Sequence, residues 1–227
     1  GQAGGGLFVE GGVDADVSTL YCVECVVQDN NASNYGGNIA IFARSSLDGF
    51  IIRGGFAQYG GGVAKLDHRC EFSDCSSAIL NSVIERNRGG DSGGGIWLNT
   101  RNNLVLLNST ISANKATNFG GGIMLTSETM LNITKTVVQD NSASMGGGIA
   151  LLSSQSAYIF GGIDAIIVGN VAKMRGGGLY IHQMDGVRDI LWAPGKMSIS
   201  GLILKSNVAG VNVAPFTGFG GGIYLLS

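Results

Sequence analysis

Residues 84–98 of this chain read IERNRGGDSGGGIWL, and residues 111–125 read ISANKATNFGGGIML. Both stretches contain an apolar residue, an asparagine three positions later, three consecutive glycines and a short apolar segment. The pattern returns at residues 138–151 and 167–181, and the glycine runs from Gly60 to Gly176 start 26 to 33 residues apart. A repeat of this length predicts similar structural units stacked along an axis.

The glycine content argues against an α-helical repeat. Glycine costs about 1 kcal/mol relative to alanine in a helix interior, and the chain has 39 glycines among 227 residues. Apolar triplets after the glycine runs, such as Ile96-Trp97-Leu98, have the alternation of a strand with one buried face. We therefore predict an all-β fold, a single-stranded parallel β-helix of about seven to eight coils, with residues 1–227 as one segment.

The recurrent asparagine and the glycine run are predicted to form two corners of each coil. Asparagine tolerates the left-handed backbone of a tight turn, and its amide can bond to the equivalent amide of the next coil. Glycine suits a corner with positive φ or close backbone approach, where a Cβ would clash. The predicted asparagine ladder comprises Asn30, Asn87, Asn114, Asn141, Asn170 and Asn207. The predicted glycine corner comprises Gly61, Gly94, Gly121, Gly147, Gly177 and Gly221.

Two details qualify the repeat. Asn81 and Asn108 each lie six residues before the main asparagine of their coils, which predicts a second, shorter ladder. The second coil departs from the pattern, because Ile51 is followed three residues later by Gly54 rather than by asparagine.

These anchors resemble the Gly-Gly-Ala-Ile and Phe-x-x-Asn repeats of chlamydial polymorphic outer-membrane proteins. Here the third repeat position is glycine, and Val, Ile or Leu replaces Phe. The resemblance covers almost the whole chain as a repeat pattern. It implies the passenger region of an autotransporter, with a right-handed, pectin-lyase-like β-helix that serves as an adhesive or structural rod at the cell surface.

The charge and apolar composition of the chain exclude some classes of partner. The net charge is −2 and only 13% of residues are charged, so nucleic acid is not an expected partner. No apolar run is long enough to cross a membrane, so we expect no membrane-spanning segment in this chain. No cofactor is predicted. Neither end looks like a capping repeat, so we expect a segment excised from a longer chain, joined end to end with other copies or other parts of the same protein.

The four cysteines form two close pairs, Cys22 with Cys25 and Cys70 with Cys75. In a β-helix the pairs would lie two coils apart, roughly 10 Å along the axis, so one zinc ion could not easily bind both, and no metal site is predicted. Disulfides within each pair are expected if the protein is secreted. The alternative is that the cysteines pack as small apolar residues.

Three Asn-x-Ser/Thr sequons occur, at Asn31, Asn108 and Asn132. Three such motifs are close to chance expectation, so position must distinguish them. Asn31 is predicted to lie in an accessible turn, Asn132 to face outward between two inward residues, and Asn108 to be a corner residue with a buried side chain.

Enzymes with this fold need clustered acidic or basic side chains on one outer face. Asp14 with Asp16 and the triplet Asp67-His68-Arg69 are two weak groups. The better one lies in a predicted long excursion from the last full coil, residues 182–219, because insertions in repeat proteins often bind partners. Its members are His182, Asp185, Arg188, Asp189 and Trp192. A solvated loop is the simpler interpretation of this group.

The sequence therefore predicts a non-catalytic structural or adhesive rod, a segment of an extracellular, cell-surface or filament protein. One alternative is a pectin-lyase-like carbohydrate-active enzyme, against which the sparse charge argues. The other is an adhesin that binds a glycan or protein through residues 182–219. Tyr35, Tyr59 and Phe119, each just before a glycine run, could stack on sugars. Met145 and Arg175 take this position in other coils, so the row is better interpreted as space-filling.

Overall fold

A computed structural model describes residues 2–10, 18–42, 44–66, 76–99, 101–153, 157–183, 197–210 and 220–226, with the backbone alone for residues 18–23 and 197. Throughout these ranges the regular secondary structure is β-strand, and no helix occurs in them. Every pairing between named strands is parallel, and the strands form three sheets that run along one solenoid. The predicted all-β parallel β-helix is confirmed.

The first sheet follows the glycine runs and has eight short strands. Because each glycine run ends immediately before one of these strands, every coil enters this sheet at the same position. In order they are β1 (Leu7–Val9), β3 (Ile39–Ile41), β6 (Val63–Lys65), β10 (Ile96–Leu98), β14 (Ile123–Leu125), β18 (Ile149–Ser153), β22 (Leu179–Gln183) and β26 (Ile223–Leu226).

The second sheet has twelve strands and contains a corner. The path is β23 (Met197–Ser200), β19 (Ala157–Gly161), β15 (Met130–Thr134), β11 (Asn103–Leu107), β7 (Ser76–Leu80), β4 (Ser45–Arg53), β8 (Val83–Glu85), β12 (Thr110–Ser112), β16 (Val137–Gln139), β20 (Ile166–Val168) and β24 (Ile203–Lys205), and β2 (Ser18–Gln28) also pairs with β4. The long strand β4 pairs with both β7 and β8 because later coils divide the same stretch into two strands.

The division falls at residues with left-handed backbone. Asn81 has a φ of 48° and Asn108 a φ of 49°, and Lys135 and Asp164 take the same conformation in the next two coils. Asparagine and aspartate tolerate this region better than most residues, because their short polar side chains bond locally. The corner therefore recurs at one position, and the strands on its two sides stay in register from coil to coil.

The third sheet has six strands and closes the coil between the asparagine and the glycine run. They are β5 (Phe56–Tyr59), β9 (Arg88–Ser92), β13 (Lys115–Ala116), β17 (Ser142–Met145), β21 (Val171–Arg175) and β25 (Val208–Ala209). Five coils, from β6 to β25, have a strand at all four positions. Seven to eight coils were predicted; that count matches the eight strands of the first sheet rather than these five complete turns.

The interior is one continuous apolar cluster. Ile96 pairs in register with Ile123, and Leu98 with Leu125, and all four side chains are fully buried. Stacking like residues on like residues lets each coil cover the apolar face of its neighbour, which is the main source of stability in a repeat protein. Fully burying one such side chain contributes about 1.5–3 kcal/mol.

Part of the predicted excursion 182–219 belongs to the rod. Strands β23, β24 and β25 lie within these residues and pair in register with β19, β20 and β21 of the preceding coil. The reason is visible in the sequence, because Leu204 and Asn207 repeat the apolar-x-x-Asn spacing. The excursion is therefore not one continuous loop.

Candidate functional site: the asparagine ladder and the outer aromatic cluster

Asn114 shows how one asparagine binds its neighbours on both sides. Its backbone N–H and its side-chain Nδ2 both donate to Asn141 Oδ1, at 2.9 and 3.0 Å. Its Nδ2 also donates to the carbonyl oxygen of Ile84 in the preceding coil, at 2.9 Å. The side chain is fully buried. One amide thus joins three successive coils in an interior where hydrogen bonds are strong and unmet ones are costly.

The ladder extends through all the described coils. Six consecutive amide-to-amide bonds, each 3.0 Å long, join Asn30, Asn38, Asn87, Asn114, Asn141, Asn170 and Asn207. In every bond the earlier residue donates through Nδ2 and the later residue accepts through Oδ1. The predicted ladder is confirmed at all six of its residues, and Asn38 is a seventh member that the sequence analysis missed.

Asn38 enters the ladder from the opposite side of the coil. Strand register aligns Ile52, not Ile51, with Ile84, so Gly55 rather than Gly54 occupies the asparagine position of this coil. Asn38 occupies the position that the third glycine of the run has elsewhere. A Cβ built on Gly55 would lie 2.5 Å from Asn38 Nδ2. Glycine and asparagine have therefore exchanged positions, and the amide still fills the same space.

The three glycines of a run have three different roles. Gly120, the first, has a φ of +61°, which glycine adopts without strain. A Cβ on Gly121, the second, would lie 2.5 Å from the carbonyl oxygens of Gly147 and Ser142 in the next coil. A Cβ on the third, Gly122, would lie 3.0 Å from Asn141 Nδ2. The predicted glycine corner named only the middle residues; the positive φ belongs to the first.

A buried hydroxyl ladder, not predicted from the sequence, supports the corner of the second sheet. The backbone N–H of Ser82 donates to Ser109 Oγ at 3.2 Å, and that of Ser109 donates to Thr136 Oγ1 at 3.1 Å. Each hydroxyl also donates to a carbonyl oxygen two residues earlier. The signal was a Ser or Thr two residues before the apolar anchors Ile84, Ile111 and Val138.

The predicted second asparagine ladder is confirmed, but on the outside. Asn108 Nδ2 donates to Asn81 Oδ1 at 2.8 Å, and Asn81 Nδ2 donates to Asp48 Oδ1 at 2.7 Å. Asn108 is exposed, so the prediction of a buried side chain was wrong. Its positive φ turns the side chain outward at the corner, whereas Ser109 next to it points inward.

A second apolar cluster covers the outer face of the first sheet. The outward residue of each short strand packs against the residue that precedes a glycine run. Tyr35 and Tyr59 stack at 5.6 Å between ring centroids, and both contact Trp97, at 5.3 and 5.2 Å. The ring faces are turned toward one another, and Trp97 is only 8% exposed. This packing supports the prediction that the aromatic row fills space.

The sizes of the packed residues are complementary. Where a tyrosine precedes the glycine run, as at Tyr59, the outward strand residue is Ala64; where Ser92 precedes it, that residue is Trp97. Replacing Trp97 with alanine is expected to reduce the free energy of unfolding by about 3 kcal/mol, because a large buried side chain leaves a cavity. Urea unfolding measures this change.

The matched variant Trp97→Ala/Ser92→Tyr should recover at least about 1 kcal/mol of that loss. It restores the tyrosine–alanine pair of the preceding coil, where Tyr59 and Ser92 occupy equivalent positions in register. Equal stability of the single and double variants would show that the two positions do not share one space.

Two tyrosines of this cluster have raised pKa values, so they ionise at a higher pH than usual. Burial, followed by the nearby Asp91 carboxylate, raises the pKa of Tyr59 above 10.0. Burial also raises the pKa of Tyr180, against the opposing effect of Arg175. Well below pH 10.0 both residues are neutral in the folded and unfolded chain, so they add no pH dependence there.

Above pH 10.0 the unfolded tyrosines ionise first, and we expect stability to fall as the pH rises toward the folded pKa values. Urea unfolding across this range should show a smaller decline for Tyr59→Phe/Tyr180→Phe than for the parent chain. An identical decline would assign the effect to other groups.

The remaining predicted site residues are only partly described. Cys25 is disulfide-bonded; Cys70, Cys75 and the side chain of Cys22 lie outside the described residues. His182 is half-buried, and its ring forms an edge-to-face pair with Tyr180, with 6.3 Å between the ring centroids. The rest of its predicted group, together with the two weaker charged groups, also lies outside: Asp14, Asp16, Asp67, His68, Arg69, Asp185, Arg188, Asp189 and Trp192.

Within the described ranges, no group of three or more His, Cys, Asp or Glu side chains could hold a metal ion. The same ranges contain no helix long and apolar enough to cross a membrane. The chain matches no protein-family model, no curated protein and no solved structure.

Proposed function

We propose that this chain is a segment of a non-catalytic, extracellular structural or adhesive rod. The observation that carries the proposal is the uninterrupted amide ladder, whose six 3.0 Å bonds link the coils from Asn30 to Asn207. Each of the five asparagines between the two ends of the ladder is almost fully buried. Since a buried amide that loses its partner costs about 1–3 kcal/mol, bending or separating the coils is opposed at every step.

The three sheets also support a structural role. Hydrogen-bonded strands surround the interior on three sides, and all of them stack along the same axis. Eight strands at a spacing of about 4.8 Å make a rod roughly 34 Å long. The chain therefore forms a long, stiff stack of coils although only 13% of its residues are charged.

Joining end to end is part of this proposal. Ile223 and Leu225 are 49% and 63% exposed, although they align in register with Leu179 and Ile181, which are 0% and 3% exposed. These two positions belong to the apolar interior in the four complete coils from β10 onward, and the coil before them has Val63 and the buried Lys65 there. A further coil, from another part of the same protein or from another copy, would cover them, as burial of apolar surface favours.

Small-angle X-ray scattering of the purified chain, followed by negative-stain electron microscopy of the whole protein, tests the rod. We expect rod-like scattering, and straight fibres or stalks in the images. A parallel assay measures release of sugar products from acidic polysaccharides. Cleavage that is lost on substitution of a described acidic side chain would overturn the non-catalytic assignment, and flexible, bent particles would overturn the stiffness argument.

A further inference from the structure

Two of the three sequons, those of Asn108 and Asn132, differ in the hydrogen bonds that their asparagine amides already make. Asn108 Nδ2 donates to Asn81 Oδ1 at 2.8 Å, so its amide is part of the outer ladder. Within the described residues the amide of Asn132 makes no hydrogen bond. Modification of Asn108 would thus break an existing contact, whereas modification of Asn132 would not.

Asn132 faces outward from the middle of strand β15. It lies in β15 between Leu131 and Ile133, which are 0% and 1% exposed and point inward. Its register partners are Val105 on one side and Phe160 on the other. Alternation along the strand places the Asn132 side chain on the same outer face as these two residues.

Apolar side chains make up much of the outer face around Asn132, beside Thr134 and Asn103. Met130 lies beside it on the same strand, and the Tyr158 and Phe160 rings on the next strand are nearly parallel, 5.9 Å apart. Leu107, on the strand before, is 37% exposed. We call this set, Val105, Leu107, Met130, Tyr158 and Phe160, the apolar collar. A lone uncommitted amide within partly exposed apolar surface is a position where a bulky polar attachment would screen that surface.

We propose that Asn132 is a site of N-linked glycosylation, with the first sugar covering the apolar collar, and that Asn108 is not. The inference rests on the proposed extracellular setting. Asn132 Nδ2 would form a bond to the anomeric carbon of a lipid-linked oligosaccharide, the lipid pyrophosphate would leave, and the amide nitrogen would lose one proton. Thr134 supplies the hydroxyl of the sequon.

The test uses the full chain secreted from a eukaryotic cell line behind a cleaved signal peptide. Asn31, which is exposed, is replaced by glutamine throughout so that two sequons remain. The secreted protein is treated with an amidase that releases N-glycans in ¹⁸O-water, and peptide mass spectrometry locates the labelled aspartate. We expect label at residue 132 and none at residue 108.

Two variants, Asn132→Gln and Thr134→Ala, should both abolish the glycan, so that a folding defect in one does not decide the result. Removing the glycan from folded protein should increase binding of an apolar fluorescent dye, because the collar is uncovered. Folded, secreted protein without a glycan at Asn132, or with equal occupancy at Asn108, overturns the site while leaving the rod intact. Retention of the chain inside the cell contradicts the extracellular setting, and the site with it.

Discussion

Replacing Gly121 with valine is expected to destabilise the folded chain by more than about 4 kcal/mol, or to prevent folding. The new Cβ would lie 2.5 Å from two carbonyl oxygens of the next coil, those of Gly147 and Ser142. Both oxygens belong to the backbone, and the Gly147 carbonyl accepts the N–H of Gly122, so neither can move without disturbing the stack. Urea unfolding followed by circular dichroism measures the loss.

Gly222→Val is the matched control. This glycine is the third of the last run, and a Cβ built there meets no atom of the described residues within 4 Å. The free energy of unfolding of the Gly222→Val variant should stay within about 0.5 kcal/mol of that of the parent chain, as for most surface substitutions. If Gly121→Val unfolds at the same urea concentration as Gly222→Val, close backbone approach is not why glycine occupies the middle of the run.

The exchange of Asn38 and Gly55 predicts a large coupling between two substitutions. Asn38→Gly removes the acceptor of the Asn30 amide and the donors to Arg53 O and Asn87 Oδ1, and should cost about 3 kcal/mol. Gly55→Asn alone places a Cβ 2.5 Å from Asn38 Nδ2 and closer still to the Gly61 carbonyl oxygen, and should cost more than about 4 kcal/mol. Both losses are measured by urea unfolding.

The double variant Asn38→Gly/Gly55→Asn should lose less stability than the sum of the two single losses, because the contact with Asn38 Nδ2 is gone and an amide again fills the rung, although the close approach to Gly61 O remains. We expect a coupling free energy of about 2–3 kcal/mol in the double-mutant cycle. Asn38→Gly/Gly222→Asn is the control, since position 222 is open among the described residues and lies in the last coil, away from Asn38 and Gly55. Simple additivity of the two losses would refute the exchange.

Features that repeat in the sequence were predictable. The apolar anchors, the ladder asparagines and the glycine runs recur at fixed offsets, so stacked coils bring like residues together. Asn38 was missed because it does not occupy the repeat's asparagine position. It occupies a glycine position on the other side of the coil and supplies the amide that Gly55 lacks. Only the strand register, which pairs Ile52 with Ile84, reveals that Gly55 faces it.

Other features depend on which way a side chain points. Asn108 was predicted to be buried because it recurs at the same offset as Asn81, but recurrence does not distinguish an inner from an outer corner. The φ of 49° at Asn108 decides the matter. In the same way, the middle residues of the first-sheet triplets, such as Trp97, look exposed by alternation but are buried by the outer cluster.

The direction of the amide bonds gives the rod a polarity. From Asn30 to Asn207 each earlier side chain is the donor and each later one the acceptor, without reversal. The two ends are therefore chemically different, like the ends of a cytoskeletal filament. Extension by the same bonds requires every added unit to point the same way, which excludes a twofold-symmetric join through this ladder. Any fibre that continues it has a distinguishable front and back.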